Sequence, residues 1–76
     1  PSPDETLSTA EFYECLRSAI KDLPEAFRTT IILREIDGLA YEEIAEITGV
    51  SLGTVKSRIA RARAKLQTFL QPYLAS

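Results

Sequence analysis

Apolar positions recur at intervals of three and four along most of the chain, the period of an amphipathic helix. Val, Ile and Thr fall on that period and never in alternation, so no strand is predicted. Ser8 and Glu11 stand three apart, the spacing of a capping box that opens a helix. Phe12, Leu16, Ala19, Ile20 and Leu23 follow at helical spacing. Pro24 breaks that helix and can open the next, since its missing N–H is not needed in a first turn. The second predicted helix covers residues 25–36, with Phe27, Ile31, Ile32 and Ile36 on its apolar side. Asp37-Gly38 stops it, because glycine accepts the left-handed conformation of a helix C-terminus. A short third helix is expected over residues 41–48, with Ile44, Ala45 and Ile47 inside. Ala40 sits where an N-cap is wanted; serine or threonine there is worth ~1 kcal/mol more. Gly49 ends this helix and Val50 plugs the turn. Ser51 caps a fourth, longer helix that runs to about residue 70, before Pro72. Val55, Ile59, Ala62, Leu66, Phe69 and Leu70 line one side of it. The expected fold is all-α, a small four-helix domain whose last two helices form a helix-turn-helix.

A length of 76 residues allows one small domain. Residues 1–7, PSPDETL, read as a linker tail, and residues 8–76 as the domain. The first residue is proline and not methionine, so the chain is expected to be a piece of a longer protein. There is no histidine and one cysteine, Cys15. That excludes an internal disulfide, a His/Cys zinc site within the chain and any histidine-containing catalytic triad. No cofactor or metal is expected, and no enzyme activity. Cys15 reads as a small buried apolar residue. A free cysteine fits a reducing, cytoplasmic compartment. No apolar run approaches the ~20 residues of a membrane span.

Charge is divided unevenly. Residues 1–50 carry four basic and eleven acidic side chains, a net of −7. Residues 51–76 carry five basic and no acidic ones, a net of +5. Such asymmetry points to a polyanionic partner. The segment YEEIAEITGVSLGTVKSRIAR, residues 41–61, gives it a form. A helix-turn-helix needs a small residue where its second helix crosses, a sharp turn four residues later, and apolar plugs around that turn. Ala45, Gly49, and Ile44, Val50 and Val55 supply these. On a wheel of about 100° per residue, Ile59, Ala62 and Leu66 cluster within about 40° of Val55. Gly53, Ser57, Ala60 and Ala64, all small, lie opposite at about 140° to 200°. Lys56 and Arg63 flank that strip on one side, and Arg61, Lys65 and Arg58 on the other. Small side chains let a helix approach the floor of the major groove while long cations at its edges reach the phosphates. Arg61 is the first candidate for a guanine edge, whereas Arg58, nearest the buried stripe, is divided between phosphate and packing.

The stretch LPEAFRTTIILREIDGLAYEEIAEITGVSLGTVKSRIARARAKL resembles region 4 of bacterial RNA polymerase sigma factors, and most of all the extracytoplasmic-function group. The likeness covers residues 23–70 and extends to the preceding helix from Ser8. It rests on LPEAFR, LREIDGL, YEEIA and GTVKSRIARAR in this order and spacing. It implies recognition of the −35 promoter element by the last helix, docking on the β flap of RNA polymerase, and control by an anti-sigma factor. It implies DNA-facing roles for Ser51, Gly53, Thr54, Lys56, Ser57, Arg58, Arg61 and Arg63, and phosphate or groove-edge roles for Arg34 and Tyr41. The family pattern has serine or threonine at position 40, where this chain has alanine. The partner domain that melts the promoter is expected outside this chain.

Local readings stand beside these. Arg34 can complement the negative end of its own helix. Tyr41 can be a core-edge aromatic, and Arg63 and Lys65 lie far along their helix. The adjacent pair Glu42-Glu43 suits a helix N-terminus better than catalysis. Leu66, Phe69, Leu70, Tyr73 and Leu74 form an apolar end that either meets polymerase or an anti-sigma protein or closes the core against Phe12 and Leu16. Two other readings remain open from the residues: the effector domain of a response regulator or quorum-sensing activator, and an interaction bundle for an acidic protein.

Overall fold

The structure, a computed structural model, describes residues 8–74, with side chains as far as Pro72. The proposed linker tail, residues 1–7, and the side chains of Tyr73 and Leu74 lie outside the described residues. Four α-helices follow one another: α1, Thr9–Lys21; α2, Glu25–Ile31; α3, Tyr41–Thr48; and α4, Leu52–Leu74. A π-helical turn, Ile32–Ile36, continues α2.

The helix starts follow local chemistry. Ser8 accepts from the Glu11 amide at 3.2 Å, and the Glu11 carboxylate accepts from the Ser8 amide at 3.1 Å, which closes the expected capping box. The Ser8 contacts hold the Glu11 carboxyl below its ordinary pKa, since they favour its charged form. Between α1 and α2, the Arg28 guanidinium donates to the Lys21 and Leu23 carbonyls at 3.2 and 3.3 Å. That satisfies two acceptors at the end of α1 that have no helical partner. At α3, Ala40 has the extended backbone of an N-cap but no side-chain acceptor. Glu43 supplies the other half of the device, accepting from the Ala40 amide at 2.8 Å. Its carboxylate thus has a structural task at the positive end of α3.

The core is built around α4. Val55, Ile59 and Ala62 are buried against Leu23, Ile31 and Ile44, with Phe27, Leu33, Leu39, Val50 and Leu66 packed around them. Thr30 is buried as well, and its hydroxyl donates to the Ala26 carbonyl at 2.8 Å. Among the described residues no buried side-chain nitrogen or oxygen lacks a partner.

Several expectations need correction. Residues 32–36 were expected to continue a regular helix, but the Asp37 amide reaches the Ile32 carbonyl, five residues back, at 3.1 Å. The wider turn inserts a residue into the helical repeat, so later positions slip around the axis. Ile36 leaves the core side in consequence and is 67% exposed. Ile47 was expected inside but is 63% exposed. With about 100° per residue, Ile47 stands about 60° to one side of Ile44, while Tyr41, Ala45 and Thr48 lie on the other side. That second side packs inward, and Tyr41, Ala45 and Thr48 are half-buried. Phe69 was expected on the buried stripe and is 51% exposed, whereas Leu70 is buried and offers no surface to a partner. Cys15 is half-buried rather than buried. Finally, α4 passes through Pro72 instead of ending before it. Pro72 has no N–H to give the Thr68 carbonyl, and the Thr68 hydroxyl donates to the Ala64 carbonyl at 3.0 Å.

Two stability measurements follow from this packing. Urea unfolding of Ile44→Ala should show a loss of about 2–5 kcal/mol, because the side chain is wholly enclosed. Ile47→Ala should stay within ~0.5 kcal/mol of the parent, as an exposed position does. Equal losses at the two positions would contradict the inward face described for α3. Ala40→Ser should raise stability by ~1 kcal/mol, since the backbone already has N-cap geometry and lacks only the side-chain acceptor. A thermal midpoint at or below the parent value would show that the Glu43 contact already satisfies that helix end.

Candidate nucleic-acid interface

The turn between α3 and α4 is set by Gly49, which caps α3 in the left-handed conformation at φ 71°. Its amide donates to the Ala45 carbonyl at 2.9 Å, and the Val50 amide donates to the same carbonyl at 3.2 Å. The chain reverses there, Val50 packs on the core, and Ser51 begins α4. The Ser51 hydroxyl accepts from the Thr54 amide at 3.1 Å and donates to the Thr54 hydroxyl at 2.9 Å. Both hydroxyls at the start of α4 are therefore oriented by the cap.

Burial of Val55, Ile59 and Ala62 fixes the rotation of α4 about its axis. Gly53, Ser57, Ala60 and Ala64 are then exposed on the opposite side, as the wheel predicts. Lys56, Arg61 and Lys65 are exposed at the edges of that strip. Arg58 is half-buried and lines a shallow hollow with Thr29, Thr30, Ile47 and Thr48. Its position matches its division between surface and packing.

Arg34 and Tyr41 come together at the head of α3. The Arg34 guanidinium lies 4.7 Å from the centre of the Tyr41 ring, and it donates to the Leu39 carbonyl at 2.9 Å. Both residues are half-buried. The stacking is worth roughly 0.5–1 kcal/mol at such a site. Arg34 thus ties the chain beyond the π-helical turn to α3, a contact different from the helix-end role weighed for it. It also holds a positive charge beside the helix-turn-helix.

Arg63 differs from the other cations of α4. Its Nε and Nη2 both donate to one carboxylate oxygen of Glu35, at 3.0 and 2.5 Å. The hydrogen bond to Glu35 raises the Arg63 pKa above its ordinary value, against a smaller opposing effect of desolvation. Both side chains are about half exposed, so the pair contributes only ~0–1 kcal/mol to stability. Sequence reading missed Glu35. The partners are 28 residues apart, and nothing local in either segment announces the contact.

A second feature adjoins this pair. An apolar hollow of about 440 Å³ opens between α1 and the π-helical turn, walled by Tyr13, Leu16, Ile20, Ile36 and Leu66, with Glu35 among its lining residues. Of the apolar end expected to meet a partner, Leu66 thus faces this hollow, Phe69 is exposed, and Leu70 belongs to the core. No described helix is long and apolar enough to cross a membrane.

Known proteins are similar to this chain in sequence. The family model described as sigma-70, region 4 matches residues 13–66, from the second turn of α1 through most of α4. The ECF RNA polymerase sigma-E factor of Haemophilus influenzae is 41% identical over 73 residues, which are 96% of this chain and 39% of that protein. Proteins of the same name from Escherichia coli K12 and Salmonella typhimurium LT2 are 42% identical over 73 residues, 96% of this chain and 38% of theirs. The chain therefore spans less than two fifths of the length of these relatives. The match takes in both helices of the helix-turn-helix, the turn between them, and the corner that holds Arg34, Glu35 and Tyr41. On these grounds, and against the activator-type alternative that the residues had left open, the chain belongs to the sigma-70 region 4 family.

Proposed function

We propose that this chain reads the −35 element of promoter DNA as the region 4 domain of an extracytoplasmic-function sigma factor, and so directs RNA polymerase to transcription start sites in the cytoplasm. One observation carries the reading. The outer face of α4 is a strip of small side chains bordered by exposed Lys56, Arg61 and Lys65, with no acidic residue on the helix. A solvated helix ordinarily mixes signs and gains i, i+4 pairs, whereas this one forgoes them.

In this reading α4 lies in the major groove with Gly53, Ser57 and Ala60 toward its floor. Thr54 and Ser57, with Ser51 behind them, offer hydroxyls to base edges or phosphates at the positive end of the helix. Arg61 reads a base edge, and Lys56 and Arg58 meet phosphate. Arg34 and Tyr41 serve a flanking phosphate from the head of α3. Arg63 stands on the same flank as Lys56 and is paired with Glu35. The domain works by binding and not by catalysis.

The apolar hollow, with Leu66 in its wall and Phe69 on the exposed side of α4, supports docking by the β flap of polymerase, or by an anti-sigma protein that keeps the factor inactive. Tethering to polymerase raises the local concentration of a module too small to hold DNA tightly alone.

Selection of duplexes by the chain, followed by binding of variants to the selected site, tests the reading. Arg61→Ala should weaken binding by about 1–3 kcal/mol and relax preference at one base pair. An equal loss on all sequences would reduce Arg61 to a phosphate contact. Lys56→Ala should lower affinity on every sequence and flatten the salt dependence by about one unit of log–log slope. Retention of the parent slope would remove Lys56 from the phosphate contacts.

A further inference from the structure

The α4 helix carries five cations, and four of them differ from the fifth. Among the described residues, Lys56, Arg58, Arg61 and Lys65 take part in no salt bridge, while Arg63 is held by Glu35. The contrast with Lys56 is informative. Seven residues separate Lys56 from Arg63, two helical turns, so the two stand on nearly the same side of α4. Both point about 70–90° away from the middle of the small-residue strip, toward the edge where one phosphate wall would run. Lys56 is free at that edge, and Arg63 is turned back onto the bundle.

The holding residue is placed by the irregular part of the fold. Glu35 belongs to the π-helical turn, whose wider repeat shifts the side chains that follow around the helix axis. The same turn sends Ile36 outward and sets Arg34 over the Tyr41 ring. It brings one carboxylate within reach of two donors of one arginine. A paired cation contributes less to a phosphate field than a free one, and an exposed pair is held by so little that its loss leaves the fold intact.

We propose that Glu35 sets the DNA affinity of this domain by withholding Arg63 from the duplex. The pair acts as a built-in restraint on one groove-edge cation. This inference rests on the DNA-binding reading above. Without the carboxylate, Arg63 extends alongside Lys56 and neutralises one additional phosphate.

The test is a mutant cycle read by fluorescence anisotropy, on a mixed-sequence duplex of about 30 base pairs over a range of salt concentrations. Glu35→Gln keeps the shape and removes the charge. It should steepen the log–log salt slope by about one unit and tighten binding by up to about fivefold at about 0.1 M salt, the most that a pair worth ~1 kcal/mol can withhold. Adding Arg63→Ala to that variant should abolish the gain in slope. If Glu35→Gln weakens binding, or leaves the slope unchanged, the restraint does not exist. If the gain persists in the double variant, Glu35 acts as a general negative charge and not through Arg63, and the inference is equally overturned. Failure of the parent chain to bind the duplex in a salt-dependent way would instead refute the DNA-binding reading. The two failures are therefore distinguishable.

Discussion

Everything the outer face of α4 presents depends on how the helix is rotated about its own axis, and that rotation is set by burial. Val55, Ile59 and Ala62 are enclosed among Leu23, Ile31 and Ile44. Each larger side chain gains about 1.5–3 kcal/mol from leaving water. Turning the helix by half a revolution would forfeit several kcal/mol and set the small side chains of the opposite strip against the core instead. The exposed Glu35–Arg63 pair is worth at most ~1 kcal/mol and could not oppose that. The apolar stripe is therefore the anchor. The strip of Gly53, Ser57, Ala60 and Ala64, with its flanking cations, faces outward as a geometric consequence.

The corner before α4 converts this rotation into a defined position. Gly49 takes a positive φ that a side chain would resist, and its amide and that of Val50 share one carbonyl. Ser51 then caps the new helix and orients Thr54. The positive end of α4 and two hydroxyls are thus presented together at the start of that helix. Local backbone chemistry and the distant core agree on the same geometry, as expected of a sequence that specifies one fold.

The π-helical turn is where the two faces of the domain meet. It carries Arg34 to Tyr41 and Glu35 to Arg63, and it exposes Ile36 beside the apolar hollow that Glu35 also lines. One short irregular segment therefore contacts the head of α3, the flank of α4 and the hollow at once.

Much of this was legible from residue order alone. The caps at Ser8 and Ser51, the stop at Gly49 and the stripe of Val55, Ile59 and Ala62 each rest on interactions within about four residues, which a linear pattern records. The small, basic face of α4 was legible for the same reason, being the complement of the stripe. Elsewhere the period admits more than one answer. Ile47 and Ala45 both lie within a turn of Ile44, and only the crossing of α4 selects Ala45 for the inside. Phe69 and Leu70 compete in the same way at the end of α4, and packing encloses Leu70 alone. The extra residue of the π-helical turn and the meeting of Glu35 with Arg63 depend on segments far apart in the chain. Local order encodes where helices begin and which side can be apolar. The choice between neighbouring apolar positions, and the pairing of distant charges, comes from the way the helices cross.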